Sequence, residues 1–266
     1  MVKVKAKKCL GQNFLHDQNV LRSIVEAGEI KAEDTVVEIG PGKGALTAEL
    51  VKRAGKLLAI EKDRDLIPFL NLDFKSFKNF ELIQGDALGW NPPSGSYKVI
   101  ANIPYYITSP LLNHFLKEQF MRGNPPELLV LMVQKEVAEK ILAKDGKHSL
   151  LSLEVQLFAD VEMVCKVPAS AFRPRPKVDS AVIKIRVLHK ARVEGDLKKL
   201  FWLFHVSFAQ KRKKLSNNLA AVFRKKSTEM MALLQENKIN PDIRAEALNF
   251  DEWQRLFTAL YSVLPS

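Results

Sequence analysis

The 266-residue sequence predicts an α/β fold, a mostly parallel sheet with helices on both faces, followed by a small all-helical C-terminal domain. Three observations lead there. Short apolar, β-branched runs alternate with helix-period segments. The first of these runs leads directly into a glycine-rich turn. Beyond about Leu188 nothing reads as a strand.

Thr35–Ile39 is the first of these strands, and Ala45–Arg53 the helix after its turn, with Leu46, Leu50 and Val51 at helical spacing. Leu57–Ile60 and Phe80–Gln84 are strands on either side of a helix over Asp63–Phe74. Tyr97–Ala101 is the next strand. Ser109–Phe120 is a helix carrying Leu111, Leu112, Phe115 and Leu116 on one stripe. Leu128–Val133 is apolar throughout, the mark of a strand buried on both faces. Gln134–Ala143 and Leu150–Phe158 read as helices. Val161–Val167 and Ser180–Val187 are two late strands with no long helix between them, which predicts an antiparallel edge. Leu197–Ala209, Leu215–Phe223, Thr228–Glu236 and Asp251–Val263 are amphipathic helices. A charged linker at 189–195 divides a sheet domain, residues 1–190, from a helical domain, residues 191–266.

Forty-one Lys and Arg against 30 Asp and Glu give a net charge of +11, which points to a polyanionic partner, most simply nucleic acid. A hydrophobic content of 47% with 27% charged residues excludes a disordered or fibrous chain. The longest apolar run, Leu128–Val133, is far short of the roughly 20 residues of a membrane helix. The N-terminus is basic (Lys3, Lys5, Lys7, Lys8) but continues into Gly11, Gln12, Asn13, His16 and Asp17 without an apolar signal core, so a cytoplasmic protein is expected. Two distant cysteines, Cys9 and Cys165, exclude a disulfide scaffold. No Cys/His spacing suits zinc, and no metal is expected.

The turn Gly40-Pro41-Gly42-Lys43-Gly44 joins the first strand to its helix. Glycine permits positive φ and close approach of a ligand to the backbone. At the carboxyl end of a strand it builds the nucleotide crevice of a Rossmann-like sheet. Glu61 ends the second strand, where a carboxylate accepts hydrogen bonds from both ribose hydroxyls. Asp86 follows the third strand and is placed to accept from an adenine amino group. These features fit a dinucleotide and S-adenosylmethionine equally.

Asn102-Ile103-Pro104-Tyr105 separates the two. An exocyclic adenine amine is a poor nucleophile because its lone pair is delocalised into the ring. Acceptors aimed at its N–H groups localise that lone pair and align it with a sulfonium methyl. The Asn102 side-chain oxygen and a backbone carbonyl next to Pro104 suit this, Pro104 stiffening the backbone and Tyr105 stacking on a flipped base. The electrophile is already activated, so the work is positioning and electrostatics, with no general-base histidine required. The expectation is a Rossmann-like S-adenosylmethionine methyltransferase sheet.

Four blocks carry a family resemblance: Gly11-Gln12-Asn13-Phe14-Leu15; Glu38-Ile39-Gly40-Pro41-Gly42-Lys43-Gly44; Asn102-Ile103-Pro104-Tyr105; and Phe172-Arg173-Pro174-Arg175-Pro176-Lys177-Val178-Asp179-Ser180. Together they resemble the rRNA adenine N6-methyltransferases, over most of the chain. The first and last blocks are highly specific, and the glycine turn is not. The resemblance implies that Asn13 and Leu15 line the S-adenosylmethionine pocket with Gly40 at its methionine and ribose end. It also implies that Glu61 holds the ribose, Asp86 the adenine ring, and that Asn102 touches both cofactor and target amine. Phe172 would clamp the target adenine opposite Tyr105, although an aromatic before a Pro-rich basic loop also suits a structural anchor.

Within the family two branches compete, one acting on small-subunit rRNA and one, the macrolide-resistance group, on large-subunit rRNA. Lys211-Arg212-Lys213-Lys214 followed by Leu215-Ser216-Asn217-Asn218-Leu219 resembles the small-subunit branch. Ile103 departs conservatively from the leucine common there. The resemblance implies dimethylation of two adjacent adenosines near the 3′ end of 16S rRNA, in a pre-30S particle. The sequence shows no long hydrophobic interface stripe, so a monomer is expected. Lys211, Arg212, Lys213 and Lys214, with Arg173, Arg175 and Lys177, are the expected phosphate contacts, which position without choosing sequence. A non-catalytic assembly factor has no need of the Asn102–Tyr105 block. An NAD-dependent oxidoreductase needs a hydride-transfer acid or base beside the turn, and none appears.

Overall fold

A computed structural model describes Lys7, residues 11–144 and residues 146–265. Lys3, Lys5, Lys8 and Cys9 of the N-terminal reading lie outside the described residues. The elements run β1 (Phe14–Leu15), α1 (Gln18–Ala27), β2 (Thr35–Ile39), α2 (Thr47–Leu50), β3 (Lys56–Glu61), α3 (Ile67–Phe74), β4 (Phe80–Gln84), β5 (Lys98–Asn102) and α4 (Thr108–Leu112). A π-helical turn (Asn113–Glu118), α5 (Gln119–Met121), β6 (Leu128–Gln134), α6 (Lys135–Ile141), α7 (Leu150–Gln156), β7 (Ala159–Val167), β8 (Phe172–Arg173) and β9 (Ser180–Val187) come next. The chain ends with α8 (Leu197–Ser207), α9 (Leu215–Phe223), α10 (Ser227–Glu236) and α11 (Phe250–Leu260).

Seven strands form one sheet in the order β4-β3-β2-β5-β6-β9-β7. β2 to β6 are mutually parallel, and β9 inserts antiparallel between β6 and β7. The α/β reading and the antiparallel late pair both hold. Alternate residues of the central strands serve opposite faces. Val36, Ile100, Val130 and Met132 pack with Leu21, Ile24 and Val25 of α1 and with Leu70 and Phe74 of α3. Their neighbours Val37, Val99, Leu129 and Leu131 are fully buried too, so the sheet is covered on both sides. Asp17 starts α1 by accepting the Asn19 and Val20 N–H groups at 2.9 and 3.2 Å.

Three elements differ from the sequence reading for local reasons. The helix expected over Ala45–Arg53 narrows to Thr47–Leu50, with i→i+3 turns at its ends (Glu49 N–H to Leu46 C=O, Arg53 N–H to Leu50 C=O). The helix expected from Asp63 starts at Ile67, because the Asp63 carboxylate accepts the Asp65 N–H at 3.1 Å and holds the chain in a turn. Within the stretch expected as one helix, Asn113–Glu118 winds as a π turn, where His114 Nε2 meets the Trp90 carbonyl at 2.8 Å.

Contacts divide the chain into two compact units. One holds the sheet: the residues up to Glu139, with Ala159–Leu188. The other groups Lys140–Phe158 with His189 onward. Trp253 is fully buried in that second unit, its ring 4.7 Å from that of Phe204. There α7 and its flanks bond to later segments: the His148 N–H donates to Glu246 C=O at 3.0 Å, and the Arg192 side-chain Nε to the Gln156 C=O of α7 at 2.7 Å.

Gly44 has φ +78°, and a Cβ there would lie 2.7 Å from the Phe74 ring, itself packed on Phe80. Gly44→Ala should therefore cost about 2–4 kcal/mol, from backbone strain and overpacking together. Urea denaturation measures it; an unchanged midpoint would show that the turn relaxes freely.

Candidate active site

The register of the parallel strands sets the rim of the cleft. Ile39 pairs with Ile60 on one side and with Ala101 on the other. Gly40, Glu61 and Asn102 therefore leave their strands at one level. Glu61 pairs with Gln84, which brings Gly85 and Asp86 to the same edge. The carboxyl ends of such strands are where open α/β sheets bind ligands.

A cleft opens there. Its walls include Asn13, Leu15, Gly40, Glu61, Asp86, Asn102, Pro104, Tyr105 and Phe172, so all the cofactor-binding and catalytic positions expected from sequence come together. The basic positions lie elsewhere. Arg173 is exposed at the end of β8 and Arg175 and Lys177 on the segment after it, and Lys211, Arg212, Lys213 and Lys214 are exposed between α8 and α9, in the other unit. Among these only Lys214 has an acidic partner among the described residues, Asp242 at 2.6 Å.

Gly40 takes φ +68° and Gly42 +60°. A Cβ on Gly40 would meet nothing within 4 Å, so this backbone faces open space. The Glu61 carboxylate is nearly buried and tied at both oxygens: Oε2 accepts the Gly42 N–H at 3.0 Å and Oε1 the Asp63 N–H at 2.8 Å. Burial raises its pKa above the ordinary carboxylate value, and those two N–H groups oppose the rise. Asp86 accepts the Leu88 N–H at 3.1 Å and pairs with Lys62 Nζ at 2.7 Å, and Lys62 holds its pKa below the usual range.

Asn102 lines the cleft, and its side-chain amide has no hydrogen-bond partner among the described residues. The Pro104 carbonyl accepts the Ile107 N–H at 3.1 Å, starting a 3-10 turn over Tyr105–Ile107. The Tyr105 hydroxyl lies 2.7 Å from the Ser180 hydroxyl, and its carbonyl accepts from Thr108 Oγ1 at 3.0 Å, so its ring is pinned at both ends.

Phe172 is only 2% exposed. It sits opposite Leu15 in the two-stranded β1–β8 pair, and both belong to the core cluster. The anchor reading of Phe172 therefore has direct support, although the cleft also reaches its ring.

Several cleft residues were not singled out from sequence. Gln12 and Phe14 stood inside a matched block without a role. Tyr106 is 58% exposed at the mouth. Glu38, 1% exposed, lines the cleft with Oε2 lacking a hydrogen-bond partner among the described residues. A lone carboxylate in the otherwise apolar Val36-Val37-Glu38-Ile39 was the signal, since such a group is seldom buried without cause.

A Rossmann-like sheet with a glycine turn and an Asn-Ile-Pro-Tyr rim defines a methyltransferase. The comparisons narrow the class. The family model for ribosomal RNA adenine dimethylase matches residues 3–261. Ribosomal RNA small subunit methyltransferase A of Dehalococcoides mccartyi (strain CBDB1) is 43% identical over 259 residues, 95% of this chain and 88% of the relative. The protein of the same name from Leuconostoc mesenteroides is 40% identical, over 97% of this chain and 90% of its own. Among solved structures, a dimethyladenosine transferase from Plasmodium falciparum superposes with TM-score 0.81 at 27% identity, covering 94% of this chain and 98% of its own. The 23S rRNA methyltransferase ErmE superposes with TM-score 0.77 at 28% identity, over 94% and 100%. The chain belongs to the ribosomal RNA adenine dimethylase family, and it is an rRNA adenine dimethyltransferase.

Burial pushes the Glu38 carboxyl up to about 8, with the nearby Glu61 charge adding to the rise and Thr47 opposing it. Between its ordinary value of 4.5 and about 8, the folded protein keeps a proton that the unfolded chain has released. Stability from this group therefore falls as pH rises through that window. Replacing it by Glu38→Gln should flatten the fall, so that the gap in melting temperature between variant and wild type moves in the variant's favour from about pH 5 to about pH 8. Parallel melting curves across that range would show that Glu38 is not the titrating group.

Proposed function

We propose that the protein uses S-adenosylmethionine to dimethylate N6 of two adjacent adenosines near the 3′ end of small-subunit rRNA, within a pre-30S particle in the cytoplasm. One observation carries the chemistry: the strand register levels Asn102 with Gly40 and Glu61 on a single rim. The small-subunit target is supported by relatives of that name at 40–43% identity, against 28% for ErmE. The number and position of the adenosines rest on the matched sequence blocks.

The residues fit this cofactor. Gly40 leaves open space over the turn, and Glu61 is fixed by its two backbone donors with lone pairs to spare for ribose hydroxyls. Asp86 suits the adenine amino group, and Asn13 and Leu15 line the same cleft. Bound there, S-adenosylmethionine supplies a methyl already activated on sulfur. The chain's part is to aim the acceptor. The unengaged Asn102 side-chain oxygen takes one N–H of the target amine. The Pro104 carbonyl is occupied by Ile107, which leaves the Ile103 carbonyl for the other. Both pull the amine lone pair out of the ring. Tyr105, held by Ser180, offers a flat surface to an extruded base, and Phe172 backs the cleft from the β1–β8 pair.

The helical residues 191–266 and the β8–β9 segment are read as the RNA-binding surfaces, through Lys211–Lys214, Arg173, Arg175 and Lys177. No helix among the described residues is long and apolar enough to cross a membrane. The protein is read as a monomer.

Labelled methyl transfer, offered unmethylated small subunits and large-subunit rRNA in parallel, tests the reading. N6,N6-dimethyladenosine should form on the small subunit alone; label on the large-subunit RNA would transfer the protein to the other branch. Asn102→Ala should lower kcat by roughly a hundredfold or more while RNA binding persists, and normal turnover would remove Asn102 from its role. Replacing Lys211, Arg212 and Lys213 with alanine should weaken RNA binding and reduce the log–log salt slope by about 0.7–0.9 for each lost phosphate contact. An unchanged slope would place the RNA surface elsewhere.

A further inference from the structure

Gln12 and Asp63 form a connection that the catalytic reading leaves unused. Asp63 follows β3, and its side chain is 1% exposed. Its Oδ2 accepts from the Gln12 side-chain amide at 2.8 Å. Its Oδ1 accepts from Lys7 Nζ at 2.6 Å and from the Asp65 N–H at 3.1 Å. Its own N–H donates to Glu61 Oε1. The Gln12 side-chain amide oxygen Oε1 in turn accepts the Lys7 N–H at 2.8 Å. One buried acid thus joins the N-terminal segment, the end of β3 and, through Glu61, the Gly42 turn.

That segment forms part of the cleft wall. Gly11, Gln12, Asn13 and Phe14 all line it. Phe14 packs against Gly42 and lies under Lys43 Nζ at 4.7 Å, and Leu15 is held by β8. Between the Asp63 anchor and the β1–β8 anchor sits Asn13, whose amide makes only a local bond to the Gly11 carbonyl at 3.3 Å. Its position is therefore set by the two anchors. The Lys7 ammonium and Gln12 amide outweigh the burial of Asp63 and keep its pKa below the ordinary value, so the acid is charged and strongly paired.

We propose that Asp63 is a positioning residue for the cofactor: through Gln12 it straps the Gly11–Asn13 segment across the ribose end of the cleft and so slows cofactor release. This rests on the S-adenosylmethionine reading above. Loss of the strap should affect cofactor affinity far more than the transfer step, because the side-chain hydrogen bonds of Gln12 and Asp63 run to each other, to Lys7 and to the Asp65 N–H, and none reaches the Asn102–Tyr105 rim.

The test uses the full chain, with S-adenosylhomocysteine as the calorimetric probe and steady-state kinetics alongside. Gln12→Ala and Asp63→Asn should each raise Kd and the KM for S-adenosylmethionine by roughly tenfold or more, the range for a lost charge-assisted hydrogen bond, with kcat nearly unchanged. The double variant Gln12→Glu with Asp63→Asn exchanges acid and amide across the same contact and should regain most of the affinity. A role in overall stability alone would lower the active fraction and so kcat, and would not raise KM and Kd at unchanged kcat. Should Asp63→Asn fail to fold, Gln12→Ala decides. Wild-type affinity in Gln12→Ala, or a fall in kcat at unchanged KM, overturns the proposal. A wild-type protein that does not bind the probe overturns the cofactor reading instead, and the strap proposal with it.

Discussion

Ile39 lies beside Ile60 on one flank and Ala101 on the other, and the rest of the site depends on that register. Side chains alternate across a strand, so a slip of one residue would turn Glu61 or Asn102 to the opposite face. The register is held by burial. Val36, Val37, Leu57, Val99 and Ile100 are all fully enclosed, and each loses its apolar environment if its strand moves. Positioning chemistry of this kind needs placement to a fraction of an ångström, and a close-packed parallel sheet provides it before any ligand arrives.

Charge is sorted around that frame. Glu38, Glu61 and Asp63 are buried beside the cleft, each balanced differently: Glu38 by holding a proton, Glu61 by backbone donors, Asp63 by a cation and an amide. The excess of basic residues is on the outside, with Arg173, Arg175, Lys177 and the Lys211–Lys214 run all exposed. The protein can thus attract a polyanion at its surface and keep a separate acidic lining for the ribose and amino groups of a nucleoside.

Much of this was legible in the residues. β2, β3, β4, β5 and β6 are apolar runs whose periodicity needs no tertiary information, and the strand-end positions Gly40, Glu61, Asp86 and Asn102 follow once the sheet is parallel. What escaped was non-local or built from side chains. β1 and β8 are two residues each and exist only as a pair, so neither carries a strand pattern of its own. The late start of α3 reflects the Asp63 side chain bonding to its own backbone, which periodicity does not register. The grouping of α7 with the later helices depends on contacts such as His148 to Glu246, between residues far apart in sequence. Glu38 and Asp63 were visible as letters, but their burial was not.

The placement of β9 between β6 and β7 also governs how the protein is made. Synthesis delivers β7 before β9, so for a time β7 has no neighbour to join and β6 has an unpaired edge. β8, which pairs with Phe14 and Leu15, is likewise made long after the β1 strand that it joins. Gly40, Glu61, Asp86 and Asn102 are all synthesised well before the strands that complete their surroundings. A nascent chain released before β9 would carry β2 to β6 and the rim they set, but would leave β6 with an open edge and β7 with no strand to pair with.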